Sequence, residues 1–196
     1  MRVGIFVFDD VEILDFAGPL QVFSTAARVA ATAGASPVFD TYTVAERSAV
    51  TARGGLRIAP THTFATEPPT DVLIVPGGVV TAELAKPAVI AWIERQARAA
   101  RLTASVCTGA FLLAKAGLLT GKKVTTHWED IADFRAQFPA IEVDEVSRYV
   151  DEGDIVTSAG ISAGIDMSLY LVERLAGADL ARRTARQMDY RWQREP

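Results

Sequence analysis

The 196-residue chain contains a single cysteine, Cys107, and only two histidines, His62 and His127. One cysteine excludes an internal disulfide and fits a reducing, cytoplasmic compartment. So few soft ligands leave metal chemistry poorly supplied, and no group has metal-ligand spacing, so no metal is expected. Basic residues are not in excess: 20 Lys and Arg face 24 Asp and Glu, for a net charge of −4. Without a basic patch there is no electrostatic case for nucleic acid as a partner. Long apolar runs are missing too. Val3 to Phe8 meets Asp9-Asp10 too soon for a secretory signal or a membrane span, so no membrane association is expected. There is no internal repeat and no low-complexity linker, and residues 1–196 read as one domain.

What is present has the composition of a globular protein, 49% hydrophobic and 22% charged. Val3–Phe8, Phe39–Val44, Asp71–Val75 and Arg101–Val106 are β-prone runs of the kind buried in a parallel sheet. Val50 to Ile58, centred on Gly54-Gly55, reads as a hairpin. Helices are expected from Leu20 to about Ala31, with Pro19 at the start, and over Pro87–Ala100, Asp130–Phe138, Ile165–Leu175 and Ala178 to about Tyr190. Lys123 to Trp128 reads as a short strand ending at His127. Glu142–Tyr149 and Asp154–Ser158 read as two strands around Asp151-Glu-Gly153. The alternation predicts an α/β fold, a mostly parallel central sheet with helices on both faces.

Ala104-Ser-Val-Cys107-Thr-Gly-Ala-Phe-Leu-Leu-Ala114 organises the rest. A strand runs into Cys107 and a helix leaves after it, so the thiol is presented at the carboxyl edge of the sheet. A strand–nucleophile–helix turn of this kind serves as the nucleophile elbow of α/β hydrolases. The adjoining helix N-terminus is expected to favour the thiolate. The opposing reading is that a free cysteine packs as a small hydrophobe. Asp15, within Ile13-Leu-Asp-Phe16, is drawn inward by its apolar neighbours or caps a helix start. With His127 it follows a strand, so all three groups project from the same sheet edge. A cysteine, a histidine and a carboxylate suggest nucleophilic catalysis.

Pro76-Gly77-Gly78, Ser105-Val-Cys107-Thr-Gly109 and Thr125-Thr-His127-Trp128, in this order, resemble the ThiJ/PfpI family of the class I glutamine amidotransferase-like superfamily. The resemblance implies a flavodoxin-like three-layer sandwich, a homodimer, and a small-molecule substrate handled without a cofactor. Leu14-Asp-Phe-Ala-Gly-Pro19, Cys107-Thr-Gly109 and Gly160-Ile-Ser-Ala-Gly-Ile-Asp166 look most like the isocyanide hydratase branch, in which water adds to an isonitrile to give a formamide. That likeness implies Cys107 as nucleophile, Asp15 as general acid/base and Thr108 as the residue that orients the site. It places Gly77, Gly78, His127 and Phe16 around the substrate, with the Gly78 amide at the oxyanion-type position. Thr108 stands where peptidase-like members carry histidine, so their Cys-His dyad is absent. Glu12 matches the acidic position of the glyoxalase and deglycase branch, which remains an alternative. A cysteine-based ligand or redox sensor is the other, since similar domains are fused to AraC-type regulators. With no DNA-reading region expected before the closing Arg194-Glu-Pro196 and a net negative charge, a stand-alone regulator is disfavoured, while an oxidisable sensor stays open.

Overall fold

A computed structural model describes residues 1–32 and 38–194; the closing Glu195-Pro196 lies outside the described residues. In chain order the elements are β1 (Arg2–Phe6), α1 (Ile13–Thr32), β2 (Asp40–Ala45), β3 (Val50–Thr51), β4 (Arg57–Ile58), β5 (His62–Thr63) and β6 (Val72–Val75). They continue with α2 (Thr81–Leu84), α3 (Pro87–Ala99), β7 (Leu102–Val106), α4 (Gly109–Lys115), β8 (Lys123–Val124) and α5 (Ile131–Gln137). The last are β9 (Glu142–Val143), β10 (Tyr149–Asp151), β11 (Ile155–Ser158), α6 (Ala163–Ala176) and α7 (Ala178–Gln187).

The main sheet has seven strands in the order β10-β11-β7-β6-β1-β2-β5, parallel except for the antiparallel edge strand β10. Every residue of β6 and β7 is buried. That explains their unbroken apolar reading, because a parallel strand covered on both faces has no solvent side to mark. From β1 the chain crosses to β2 on one side, and from β6 it crosses to β7 in the opposite direction. Right-handed crossovers running in opposite directions put their helices on opposite faces. Accordingly α1 packs with α6 and α7, while α2, α3 and α4 pack together. This is the flavodoxin-like sandwich expected from the sequence. The reversal falls between β1 and β6, where open α/β sheets leave a crevice at the carboxyl ends of the strands.

Several boundaries differ from expectation. Helix α1 begins at Ile13, so Pro19 lies inside it and Asp15 falls in its first turn. Proline inside a helix costs about 3 kcal/mol. The buried residues Asp15, Phe16, Gly18, Val22, Phe23 and Ala26 form an inward face that carries the helix through it. The expected strand Lys123–Trp128 is only β8, paired with β9 in a separate two-stranded sheet. Residues 125–127 are then held by side chains, with Thr125 N–H donating to Thr157 Oγ1 and Thr126 Oγ1 donating to the Cys107 carbonyl, each at 2.9 Å. The expected strand Glu142–Tyr149 is broken by a turn in which the Asp144 carboxylate accepts from Val146 and Ser147 N–H. Helix α7 stops at Gln187, and Asp189 adopts a left-handed φ of 50° soon after. The β3–β4 hairpin forms as expected, with Val50 opposite Ile58. Among the described residues no helix is long and apolar enough to cross a membrane.

The segment after α7 returns over the start of α6. Asp166, fully buried, accepts from Arg148 Nε at 2.9 Å and from Gln193 N–H at 2.9 Å, and its carbonyl accepts from Trp192 Nε1. The Arg148 carbonyl in turn accepts from Ala159 N–H, so this ion pair also braces the loop before α6. Removing one partner of a buried pair strands the other charge. Arg148→Ala should destabilise the fold by about 3 kcal/mol, lowering Tm by roughly 6–12 °C in a thermal melt. A melt within a degree of the parent would show that the pair is structurally idle.

Candidate active site

Cys107 has a φ of 57°, a left-handed conformation that a side chain larger than glycine adopts only under constraint. The constraint is visible on every side. Cys107 N–H donates to the Ser158 and Ala159 carbonyls at 3.1 and 3.3 Å, and its carbonyl accepts from Thr126 Oγ1. The next turn can start only with glycine: a Cβ on Gly109 would lie 2.1 Å from the Val75 carbonyl oxygen. The elbow is thus wedged between β6, β11 and the loop after β8.

Asp15 approaches from the other side of the sheet reversal. It is fully buried, and its Oδ2 accepts from Gly77 N–H at 3.2 Å, while Oδ1 has no hydrogen-bond partner among the described residues. Burial pushes its carboxyl up to about 7, with the charge of Glu12 adding to the rise, against the lowering influence of the Cys107 thiol and of the Gly77 and Ile161 amides. The same contact acts on the sulfur. Burial and then the Asp15 charge push the Cys107 thiol up to about 12. The expectation of a thiolate favoured by the helix start is therefore corrected. The Thr108 amide does lower the value, but desolvation and a neighbouring carboxylate outweigh it.

Thr108 Oγ1 accepts from Gly78 N–H and donates to the Gly78 carbonyl, both at 2.9 Å. The Gly78 amide, expected at an oxyanion-type position, is therefore engaged by Thr108. Gly78 itself has a φ of 135°, and a Cβ there would come within 2.3 Å of the Asp10 carbonyl oxygen. Gly77 is equally confined, since its Cβ would meet Thr108 Oγ1 at 2.5 Å and Asp15 Oδ2 at 3.0 Å. These glycines let two loops and a carboxylate converge without side chains between them.

A cavity of about 280 Å³ opens over the sulfur, lined in part by Glu12, Gly78, Thr108 and His127. Glu12 Oε1 accepts from Ile13 N–H at 3.1 Å and Oε2 lies 3.3 Å from Arg53. His127 reaches the cavity with Nδ1 3.4 Å from both Glu129 N and Asp130 Oδ2. Its ring rests on the backbone of Gly160, where a Cβ would lie 2.0 Å from Cδ2. His127 forms part of the cavity wall. Asp15, Phe16 and Gly77 are not among the cavity's lining residues; Asp15 is fully buried behind it, Phe16 is buried in the hydrophobic core and Gly77 N–H donates to Asp15.

Sequence reasoning missed Arg53, Glu129, Asp130 and Ile161, which also line the cavity. Arg53 arrives on the β3–β4 turn, whose Arg53 N–H donates to the Val11 carbonyl and pins the hairpin to the loop before α1. No local pattern announces that contact. Ile161, with a φ of 49°, had a signal in the flanking Gly160. Among the described residues no group of three or more His, Cys, Asp or Glu side chains is arranged to hold a metal ion.

Comparison with known proteins adds to this geometry. The sequence matches the DJ-1/PfpI family over residues 1–174. It is 36% identical over 192 residues to the isonitrile hydratase of Pseudomonas putida, covering 97% of this chain and 78% of that protein. It is 35% identical over 132 residues to the HTH-type transcriptional regulator GbdR of Pseudomonas aeruginosa, covering 67% of this chain and 36% of the regulator. A crystal structure of a ThiJ/PfpI family protein from Pseudomonas syringae superimposes with a TM-score of 0.84 at 30% identity, covering 96% of this chain and 74% of that one. On this sequence match and this shared fold, the chain belongs to the DJ-1/PfpI family.

Proposed function

We propose that the chain is an isonitrile hydratase, converting R–N≡C and water to the formamide R–NH–CHO. The observation that carries the reading is the buried Asp15 carboxyl set against the Cys107 thiol, with its pKa raised to about 7. The similarity to the Pseudomonas putida isonitrile hydratase over nearly the whole chain supports it. The same reading takes the working form to be a cytoplasmic homodimer that acts on a small molecule without a cofactor.

The chemistry follows from the proton inventory. With its pKa pushed to about 12, the thiol has no preformed thiolate at neutral pH, so proton removal must accompany attack. Asp15, ionised, takes the thiol proton as sulfur bonds to the terminal isonitrile carbon. That carbon becomes basic as it is attacked, and Asp15 returns the proton to it. The result is a thioimidate, R–N=CH–S–Cys107, and a regenerated carboxylate. Asp15 then draws a proton from water as the oxygen adds to the same carbon, and the proton passes to nitrogen. Collapse of the adduct breaks the C–S bond, and the departing sulfur recovers the hydroxyl proton through Asp15 while the formamide leaves. Thr108 holds the floor of the site through its reciprocal bond to Gly78.

The reactive species is the Cys107–Asp15 pair carrying one proton, wherever that proton resides. Its population rises as pH passes about 7 and does not decline until about 12. Turnover of phenyl isonitrile, followed by formanilide release, should therefore show kcat/KM falling about tenfold per pH unit below 7, with a plateau above. Cys107→Ala should abolish turnover, and Asp15→Asn should lower it by about 10²–10⁴-fold. An active wild type whose rate ignores Asp15→Asn would sink the acid/base assignment. A wild type that releases no formamide would sink the hydratase reading itself.

The same carboxyl predicts a stability effect of opposite sign. Its folded pKa lies above the unfolded value near 4, so between about 4 and 7 the native state binds more protons and loses stability as pH rises. Above about 7 the penalty is complete, up to about 4 kcal/mol, and below 4 it vanishes. Asparagine cannot ionise. Asp15→Asn should melt several degrees above wild type at pH 8, with the gap closing towards pH 4; a gap independent of pH would contradict the raised pKa.

A further inference from the structure

The peptide joining Cys107 to Thr108 is held differently at its two ends. Its carbonyl accepts from Thr126 Oγ1 at 2.9 Å and from Ala110 N–H at 3.3 Å. Its N–H, on Thr108, is donated to no oxygen among the described residues and acts on the Cys107 sulfur, lowering the thiol's pKa. A trans peptide is planar, with its carbonyl and N–H pointing in opposite directions, so fixing one end aims the other. Polarisation works the same way, because a donor on the carbonyl strengthens the amide as a donor in its turn. The Ala110 bond is longer than the usual N–H···O range, which leaves the Thr126 hydroxyl as the firmer anchor. That hydroxyl is itself well placed. Thr126 is 1% exposed, and its neighbour Thr125 is tied to β11 through Thr157 Oγ1.

We propose that Thr126 is a positioning residue: by donating to the Cys107 carbonyl it aims the Thr108 amide at the sulfur. In the hydratase reading, on which this part of the inference rests, the sulfur gains negative charge twice. It does so as its proton leaves for Asp15 during attack, and again as the C–S bond breaks. Burial and the Asp15 carboxylate disfavour that charge, and the Thr108 amide favours it. A donor already aimed at the place where charge develops needs no rearrangement when the charge arrives. For the resting thiol the inference stands without the hydratase reading, since the same amide acts on the same sulfur whether or not a substrate is bound.

Other charged and titratable groups also face the sulfur. Asp15 does so from α1, Glu12 from the loop before that helix and Arg53 from the β3–β4 turn. His127, Glu129 and Asp130 follow from the segment after β8. Replacing Thr126 by valine removes one hydroxyl and alters none of these charges. A change in the thiol's reactivity then reports the hydroxyl's hold on the peptide.

The test measures alkylation of Cys107 by iodoacetamide at pH 8, which reads the thiolate fraction. A thiol pKa one unit higher slows alkylation about tenfold at a fixed pH below it. Thr126→Val should therefore alkylate about tenfold more slowly than wild type, and Thr126→Ser, which keeps the hydroxyl, within about twofold of it. A hydroxyl that only braced the fold would give the opposite sign, because a loosened elbow exposes the sulfur and speeds its alkylation. With phenyl isonitrile, kcat in Thr126→Val should fall by about 10–100-fold at unchanged KM, and serine should restore it. Thermal melts check that each variant folds, and Thr126→Ala takes the place of valine if that one does not. Alkylation as fast as wild type or faster, or serine no better than valine, would overturn the proposal. If wild type turns over no isonitrile, the hydratase reading fails, and the alkylation series still decides whether Thr126 aims the amide.

Discussion

A carboxyl group held out of water beside a thiol is the constraint around which this molecule is arranged. Asp15 is fully buried, with one oxygen on the Gly77 amide and the other without a partner among the described residues. A carboxylate so placed is costly to ionise. Keeping it against Cys107 takes a helix that begins early, a proline tolerated inside that helix, and a glycine at 77 where any side chain would collide. It also takes an elbow residue in left-handed backbone, a conformation that costs on the order of 1–3 kcal/mol and persists only when its surroundings over-determine it. Gly109 against β6 and the Thr126 hydroxyl on the Cys107 carbonyl provide that over-determination.

The contest between helix start and burial is instructive because both act on the same sulfur. A helix N-terminus stabilises a thiolate through unpaired amides, worth at most about 2 kcal/mol even in favourable, partly buried geometry. Helix α4 is only seven residues long, and Cys107 is desolvated as well as facing a carboxylate. Burial and like charge outweigh the helix start and push the thiol's pKa up. What the pair can do readily is pass one proton between sulfur, carboxylate and a third atom placed between them.

The sheet, its parallel sense and the elbow were legible because they depend on local pattern. Buried strands such as Asp71–Val75 announce themselves as apolar runs, and a strand meeting Cys107-Thr-Gly109 announces a sharp turn into a helix. The start of α1 was not legible, since proline's preference for a first turn suggested Pro19, whereas tertiary burial of Asp15, Phe16 and Gly18 decided the matter. The break after Val143 was missed for a related reason: Asp144 folds the backbone back on its own side chain, a local hydrogen-bond pattern hidden within a β-prone run. At the site, Asp15 and Cys107 could be placed on one sheet edge from their positions after strands. The protonation of the pair could not, because it depends on how completely water is excluded, a property of the assembled core. Arg53 was invisible, because it reaches Glu12 only when the β3–β4 hairpin docks on the loop before α1.

The relatives show that this fold alone does not decide between catalysis and regulation: similarity at 35–36% identity extends both to an isonitrile hydratase and to part of a transcriptional regulator. The decision lies in the few groups that touch the sulfur. A domain that only bound a ligand would gain nothing from an ionisable group whose charge lowers stability across the neutral range. Replacing Asp15 by an isosteric amide would keep the Gly77 contact and remove that penalty. A carboxyl whose ionisation costs stability beside the elbow thiol is the pattern expected where activity, rather than stability, sets the residue. The cost of burying Asp15 is thus the physical feature on which the proposed hydratase reading rests.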